Sequence, residues 1–324
     1  MIRLLLVFTG LLALAAFPVQ ASLVLYEREG QVLEMELNPG LGRRQRDDVI
    51  AWMESTADAL AAVYGRWPRD RWRVRVQSVS GYGSDPVPWA QVNRGEPDIV
   101  SFYIDAGASE RRLVNDWTAY HEFSHLLIPY RGWGDMWFSE GLASYYQNLL
   151  QARHGVFDER EMWQRLHDGF VRGQDNRRPD LSLAELSPEM HANRSYMRVY
   201  WSGAWYFLVA DLELRRRSEG RQSLDSALRS LNACCADRRM SARAIARQLD
   251  RITGYDLFVP LFEEIADSMA IPSFESTYSS LGISVNSAGR VMLDESHPSA
   301  ELRRAIARRV TLRGSDDTEP MSGH

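Results

Sequence analysis

The stretch "AYHEFSHLLIPYRGWGDMWFSEG", residues 119–141, places two histidines four residues apart and two glutamates close to them. Residues i and i+4 of a helix project from the same face, so His121 and His125 can reach one ion. Catalytic zinc sites commonly use three protein ligands, and Glu140, at the start of the next predicted helix, supplies a third. The stretch therefore predicts one Zn²⁺ per chain, bound by His121, His125 and Glu140.

Glu122 follows the first histidine directly, which places its carboxylate beside the ion without ligating it. There it can accept a proton from the attacking water, and a positioned base of this kind is worth roughly 10²–10⁴ in rate. An H-E-x-x-H match also arises by chance, and two structural histidines are the alternative interpretation. The helical setting and the downstream "W-x-x-E-G" favour the metallohydrolase site.

The segments around this motif predict an α+β fold. Residues 22–38 read as a β-hairpin, 44–64 as a helix, 71–79 and 97–105 as strands, and 112–128 as the zinc helix. Helical patterns then run from Glu140 almost to residue 268. We expect a thermolysin-like lobe with a mixed sheet over 22–153, an all-helical lobe over 154–290 and a partly disordered tail over 291–324. A cleft should lie at the seam of the lobes.

Residues 1–21 have the pattern of an export signal. Arg3 supplies the positive charge, Leu4–Phe17 the apolar run, and "VQA" a cleavage site before Ser22. Because that run is shorter than the roughly 20 residues of a membrane span, we expect no stable anchor after cleavage. The predicted location is periplasmic or secreted.

Composition excludes several other classes. A net charge of −5 without an isolated basic block argues against a nucleic-acid partner. All 38 basic residues are arginine, which excludes Schiff-base chemistry and a Walker-type phosphate loop. The two cysteines, Cys234 and Cys235, are neighbours, so we expect them to be free, small buried residues.

HEFSH followed by WFSEG resembles the gluzincin metallopeptidases, the thermolysin-like enzymes whose third zinc ligand is a glutamate on the following helix. The segments "YWSGAWYFLVADLELRRRSEGRQSLDSALRSL" at 200–231 and "GYDLFVPLFEEIADSMAIPSFESTYSSLGI" at 254–283 are similar to the glycyl aminopeptidase family. The resemblance covers roughly residues 115–283. It implies a zinc peptidase in which His121, His125 and Glu140 are ligands, Glu122 is the general base and the Tyr200 hydroxyl stabilises the oxyanion.

The sequence departs from that family in several places. Ser202 stands where such aminopeptidases commonly have lysine, Leu126 and Leu127 replace a tryptophan, and only fourteen residues separate His125 from Glu140. The family's N-terminal β-domain and C-terminal PDZ domain are too large to fit. The resemblance thus implies a minimal member of the family.

The substrate is predicted to be a peptide or protein held along a sheet edge near the zinc helix. Trp89, Ala90 and Gln91 are the candidate contacts, with a simple loop as the alternative. Glu96 is a candidate for binding a free amino terminus, although "RGEPD" reads equally well as a turn. Aminopeptidase and endopeptidase activity both stay open, as does the oligomeric state. A non-catalytic zinc-stabilised scaffold and a zinc hydrolase of non-peptide bonds are the other candidate functions.

Overall fold

The computed structural model describes residues 22–82, 85–132, 134–176, 178 and 180–308. The predicted export signal and the last part of the predicted tail, residues 309–324, lie outside this range. The strands are β1 (Ser22–Arg28), β2 (Gln31–Leu37), β3 (Arg71–Val79), β4 (Trp89–Asn93), β5 (Ile99–Asp105), β6 (Ile283–Val285) and β7 (Val291–Leu293). The helices are α1 (Arg43–Tyr64), α2 (Glu110–Asn115), α3 (Thr118–Ser124), α4 (Met136–His154), α5 (Glu159–Asp175), α6 (Leu183–Leu186), α7 (Met190–Asn193), α8 (Tyr196–Arg217), α9 (Leu224–Cys235), α10 (Ala242–Thr253), α11 (Phe258–Ala266), α12 (Glu275–Ser279) and α13 (Ala300–Ala307). The predicted α+β class is confirmed.

The first five strands form one mixed sheet in the order β1-β2-β3-β5-β4. β1 and β2 are an antiparallel hairpin whose turn residues, Glu29 and Gly30, both have positive φ, which suits a tight two-residue turn. β2, β3 and β5 are parallel, and β4 adds to β5 as an antiparallel edge strand. α3 packs beside β4, the edge strand of this sheet.

Aromatic packing fixes the sheet against its helices. The Trp52 ring of α1 lies 5.3 Å from Phe102 of β5, and Trp72 of β3 lies 4.7 Å from Phe123 of α3, both edge to face. All four rings are buried. Such pairs contribute about 0.5–1.5 kcal/mol beyond burial, and they hold α3 directly against the sheet.

The predicted helix over 112–128 is wrong as a single element. It is divided into α2, α3 and a 3₁₀ turn at His125–Leu127. Asp116 has an extended backbone, and its carboxylate accepts a hydrogen bond from the Thr118 N–H at 2.8 Å. A short side chain that binds nearby backbone competes with helix hydrogen bonds, which ends α2 and starts α3.

α4 begins at Met136, so Glu140 lies in its second turn and does not open the helix. α4 packs closely against α8 through two glycines. A Cβ on Gly203 would lie 1.9 Å from the Trp137 carbonyl oxygen and 2.7 Å from the Gly141 Cα. Only glycine permits this approach, which brings the start of α8 up to Glu140.

The prediction of an all-helical lobe over 154–290 is wrong at its end. β6 and β7 form an antiparallel hairpin, and the Asn286 carboxamide oxygen accepts from the Ala288 and Arg290 N–H groups in its turn. Asn and Gly at such turns give local support to short strands that periodicity alone does not reveal.

Part of the predicted disordered tail is also regular structure, because β7 and α13 lie between residues 291 and 308. The fully buried Arg303 of α13 donates to Glu159 at 2.7 Å and to Glu295 at 2.9 Å. These charge-assisted bonds attach α13 to the start of α5.

The prediction of two free cysteines is wrong, since Cys234 and Cys235 are bonded to each other at the last turn of α9. Cys235 is buried and Cys234 is exposed. Their Cα atoms are 3.7 Å apart, as in any pair of neighbouring residues, so the bond closes within one short segment and joins no distant parts of the chain. Separately, no helix in the described part of the chain is long and apolar enough to cross a membrane.

Candidate metal centre

His121, His125 and Glu140 lie together between α3 and α4. Each residue offers one ligand atom, and these three atoms lie within 4.8 Å of one another. The Glu140 Oε2 atom is 3.2 Å from His121 Nε2 and 3.7 Å from His125 Nε2. The short fourteen-residue connection therefore does not keep Glu140 from the histidines, because the second turn of α4 faces α3.

Two further side chains orient the imidazole rings. His121 Nδ1 is 2.8 Å from Gln147 Oε1, and His125 Nδ1 is 2.9 Å from Ser139 Oγ. With both Nδ1 atoms engaged, the Nε2 atoms face Glu140. Hydrogen-bond partners of this kind fix the tautomer and orientation of metal-binding histidines.

Sequence reasoning missed both Gln147 and Ser139. A signal was present for each, because Ser139 directly precedes Glu140 and Gln147 lies two helical turns after it on the same face. Their partners are on another helix, however, so spacing alone does not identify them.

Burial and the neighbouring charges set the pKa values of the three side chains. Burial lowers the pKa of His125 to about 3, and the His121 and Arg94 charges act in the same direction. Burial also lowers the pKa of His121, but the Glu140 carboxylate outweighs the effect of burial and raises that pKa above its ordinary value. Burial raises the pKa of Glu140, yet the two imidazoles bring it below its ordinary value. The centre thus favours a neutral His125 and an ionised Glu140, as metal ligands require.

Glu122 and Tyr200 adjoin the three ligand candidates. Burial, opposed by His121 and reinforced by Glu140, raises the pKa of Glu122 to about 7. The Tyr200 hydroxyl lies close enough to the Glu140 carboxylate for the two groups to shift each other's pKa, and the Tyr200 ring stacks on His121 with centroids 6.0 Å apart. Burial and the Glu140 and Glu122 carboxylates raise the Tyr200 pKa, so the phenol remains a proton donor.

A largely buried arginine attaches the 3₁₀ turn after α3 to the sheet. Arg94, just after β4, donates to the backbone carbonyls of His125 and Ile128 and pairs with Asp98 at 3.3 Å. Asp98 also pairs with Arg69 at 3.0 Å and Arg131 at 3.5 Å. Removing one partner from a buried network of charges strongly destabilises the fold. The network therefore holds the His125 backbone, which Arg94 contacts, in place. Sequence reasoning missed Arg94.

The remaining predicted site residues lie on or beside the sheet edge. Trp89, Ala90 and Gln91 are in β4, and the Trp89 side chain is 48% exposed and 4.9 Å from the Tyr103 ring. Their contact with substrate stays a prediction. Glu96 is exposed on the turn after β4, where the Gly95 N–H donates to Asp98 Oδ1 at 3.0 Å.

The donor set fits zinc. Two imidazole nitrogens and one carboxylate are the ligands of one common kind of catalytic zinc site. The two Nε2 atoms converge on the same carboxylate oxygen, and the opposite ring nitrogens are occupied by protein partners. His121, His125 and Glu140 are therefore the residues that would hold a zinc ion.

Comparisons with known proteins agree with this centre. A family model of M61 glycyl aminopeptidases matches residues 132–203, which include Glu140 and Tyr200. The resemblance predicted from the sequence is thereby confirmed. A comparison with curated proteins gives no match.

Solved structures show similarity in fold. An aminopeptidase N family protein from Idiomarina loihiensis aligns with a TM-score of 0.61 and 15% identity, over 82% of this chain and 50% of that one. An M1 zinc metallopeptidase from Deinococcus radiodurans aligns with a TM-score of 0.50 and 18% identity, over 78% of this chain and 52% of that one. The chain thus spans about half the length of these structures.

Proposed function

We propose that this protein is a zinc-dependent peptidase of the gluzincin type, with aminopeptidase activity as the first expectation. The observation that carries the proposal is the convergence of His121, His125 and Glu140, with Glu122 and Tyr200 beside them. A glycyl aminopeptidase family model matches part of the chain, and a fold relative was solved with a Tyr-Ser-Ala substrate. The substrate proposed here is accordingly a peptide.

In this proposal each residue has a separate role. Bound zinc would supply Lewis-acid polarisation of water and of the scissile carbonyl. Glu122 accepts the proton of the attacking water and later delivers it to the leaving amine, which balances the hydrolysis. The Tyr200 hydroxyl donates a hydrogen bond to the oxygen on which negative charge develops, an interaction that is strongest in the transition state. Gln147 and Ser139 keep the imidazoles oriented.

The proposal includes two expectations beyond the site. The chain is exported through its first 21 residues, and residues 22–153 form a thermolysin-like lobe with the cleft at its boundary with the helices that follow. A partly buried carboxylate with a raised pKa, Glu122, lies beside the histidines and supports catalysis over a zinc-stabilised scaffold, because a structural zinc site needs no base.

The test compares the zinc-loaded protein with its Glu122→Gln and Tyr200→Phe variants on tetra-alanine. Glu122→Gln should keep one zinc per chain while losing at least about 10²-fold in kcat/KM. Tyr200→Phe should lower kcat more than it changes KM. Unchanged cleavage by Glu122→Gln would refute this mechanism. Cleavage of tetra-alanine, but not of its N-acetylated form, would identify an aminopeptidase.

A further inference from the structure

A cavity of about 390 Å³ opens between the end of α5 and the start of α8. It is lined by Arg172, Asp175, Asn176, Arg194, Tyr196 and Met197. Tyr196 lies one helical turn before Tyr200 on α8. The cavity therefore adjoins the end of α8 that carries the proposed oxyanion donor, and it is separate from the metal ligands.

The two arginines of this cavity are available to a ligand. Within the described ranges neither Arg172 nor Arg194 forms an ion pair with a carboxylate, whereas Arg165 on the same α5 helix pairs with Glu161 at 2.8 Å. Asp175 also lines the cavity, so the charged side chains there leave one net positive charge. An anionic group of the substrate would neutralise it.

Both arginines are exposed at the mouth of the cavity, and each has one contact or backbone feature that restricts it. The Arg172 guanidinium lies 5.3 Å from the centre of the Trp201 ring, a cation–π contact with the residue after Tyr200. Arg194 has a left-handed backbone with φ 52° and ψ 39°, and its carbonyl accepts from Asn176 Nδ2 at 3.3 Å. This conformation is a common way for a helix to end, and it fixes the Arg194 backbone at the end of α7.

We infer that this cavity is a carboxylate-binding subsite, in which Arg172 and Arg194 bind an acidic group of the peptide substrate. The inference rests on the proposed peptidase function and adds a substrate class to it. Guanidinium groups present paired donors that match a carboxylate, and Tyr196 lies beside them. The bound carboxylate is either the C-terminus of a short peptide or an Asp or Glu side chain, and both sources share this chemistry.

The test uses five peptides with the zinc-loaded protein. Tetra-alanine amide is the neutral reference, tetra-alanine free acid carries only the terminal carboxylate, and three amides carry Glu at the second, third or fourth position. The wild type should cleave at least one anionic peptide about 10- to 100-fold more efficiently than the neutral reference. The anionic peptide that is preferred identifies the source of the carboxylate.

Arg172→Gln and Arg194→Gln should each reduce the ratio of kcat/KM for the preferred anionic peptide to kcat/KM for the neutral amide toward one. Cleavage of the neutral amide itself should be unchanged. Arg165→Gln, which removes an ion-paired arginine from the same helix, is the matched control and should keep the full preference. In the Glu122→Gln background, calorimetric affinity for the preferred peptide should fall in parallel when either arginine is replaced. This second readout does not depend on turnover.

The outcomes separate the two proposals. Cleavage of all five peptides at similar rates, or a preference that survives in both arginine variants, would overturn the subsite while leaving the peptidase intact. Failure of the zinc-loaded wild type to cleave any peptide would reject the peptidase function itself, and the subsite with it. Loss of neutral cleavage in the arginine variants would show a structural role and would also overturn the inference.

Discussion

At the scale of single residues, the centre depends on partners that the motif does not contain. H-E-x-x-H specifies two imidazoles and a base, but the rings are free to rotate unless their second nitrogens are bound. Gln147 and Ser139 supply those bonds at 2.8 and 2.9 Å. Both come from α4, the helix that also supplies Glu140, so one helix provides a ligand candidate and the orientation of the other two.

Gln147→Leu should weaken zinc binding without unfolding the protein. The substitution removes the acceptor at His121 Nδ1, and losing such a partner typically costs 10–100-fold in metal affinity. Competition with a fluorescent zinc chelator would measure the effect. Gln164→Leu on α5, away from the centre, is the control. Equal zinc affinity for wild type and Gln147→Leu would show that packing alone orients His121.

At the scale of elements, two contacts position the site. The glycine crossing of α4 and α8 brings Tyr200 to Glu140, and the Arg94–Asp98 network joins the end of the zinc helix to the sheet. Each contact connects segments that are more than 25 residues apart in sequence. Neither follows from helical or strand periodicity, which is why sequence reasoning placed the elements but not their contacts.

Gly203→Ala should damage both stability and the site. The added methyl would lie 1.9 Å from the Trp137 carbonyl oxygen, so α8 must move away from α4. Overpacking of this kind typically lowers the free energy of unfolding by about 1–3 kcal/mol. Because Tyr200 is on α8, the same movement would take it away from Glu140. Urea denaturation and kcat would report the two effects. Gly134→Ala, where nothing lies within 4 Å, is the control. A variant as stable and as active as wild type would contradict the close crossing.

The Asp98 network predicts a specific loss of stability in acid. Burial raises the pKa of Asp98, but Arg94, the Gly95 N–H and Arg69 outweigh it and leave the pKa below its ordinary value. A carboxyl whose pKa is lower in the folded state stabilises the fold above its unfolded pKa of about 3.9 and loses that contribution as pH falls below it. Stability of the wild type should therefore decrease steeply below about pH 4.

Asp98→Asn should lower the free energy of unfolding by about 3–5 kcal/mol at neutral pH, because three arginines then lack their shared carboxylate. Its stability should also vary less with pH below about 4 than that of the wild type. Denaturation curves across pH 2–7 test both expectations, with Asp70→Asn, an exposed carboxylate, as the control. Parallel acid profiles for wild type and Asp98→Asn would exclude Asp98 as the source of the acid sensitivity.

At the scale of the whole molecule, the centre joins elements from both halves of the chain. The histidines follow the mixed sheet, whereas Glu140 and Tyr200 come from the helices α4 and α8 that lead into the second half. A ligand that binds only the folded state stabilises it, by about 4 kcal/mol at a thousandfold excess over its Kd. The zinc ion should therefore stabilise the packing between the sheet and these helices.

Removing zinc with a chelator should lower Tm, and adding zinc back should restore it. Scanning calorimetry of wild type measures the shift, and His121→Ala, which lacks one ligand candidate, should show little response to either treatment. Partial proteolysis in the chelated state should cut first between α3 and α4. An identical Tm with and without zinc would mean that the ion does not support the fold.

Much of the fold and of the site could be predicted from local pattern. The predicted hairpin at 22–38, the long helix after it and the strands at 71–79 and 97–105 follow from short-range periodicity, and His121, Glu122 and His125 follow from their spacing in one short segment. Asp116, the Asn286 turn and the Cys234–Cys235 bond were missed because each depends on local side-chain geometry that overrides the periodic signal.

By itself, the sequence determined most of the elements before residue 268 and the chemical identity of the candidate zinc ligands, since both depend mainly on residues close together in the chain. Tertiary structure alone decided whether Glu140 reaches the histidines, which side chains orient them, and that Arg172 and Arg194 line one cavity at the start of α8. The physical reason is that these placements depend on the closeness with which helices pack. That closeness is set at contacts such as Gly141 against Gly203, between residues about sixty positions apart.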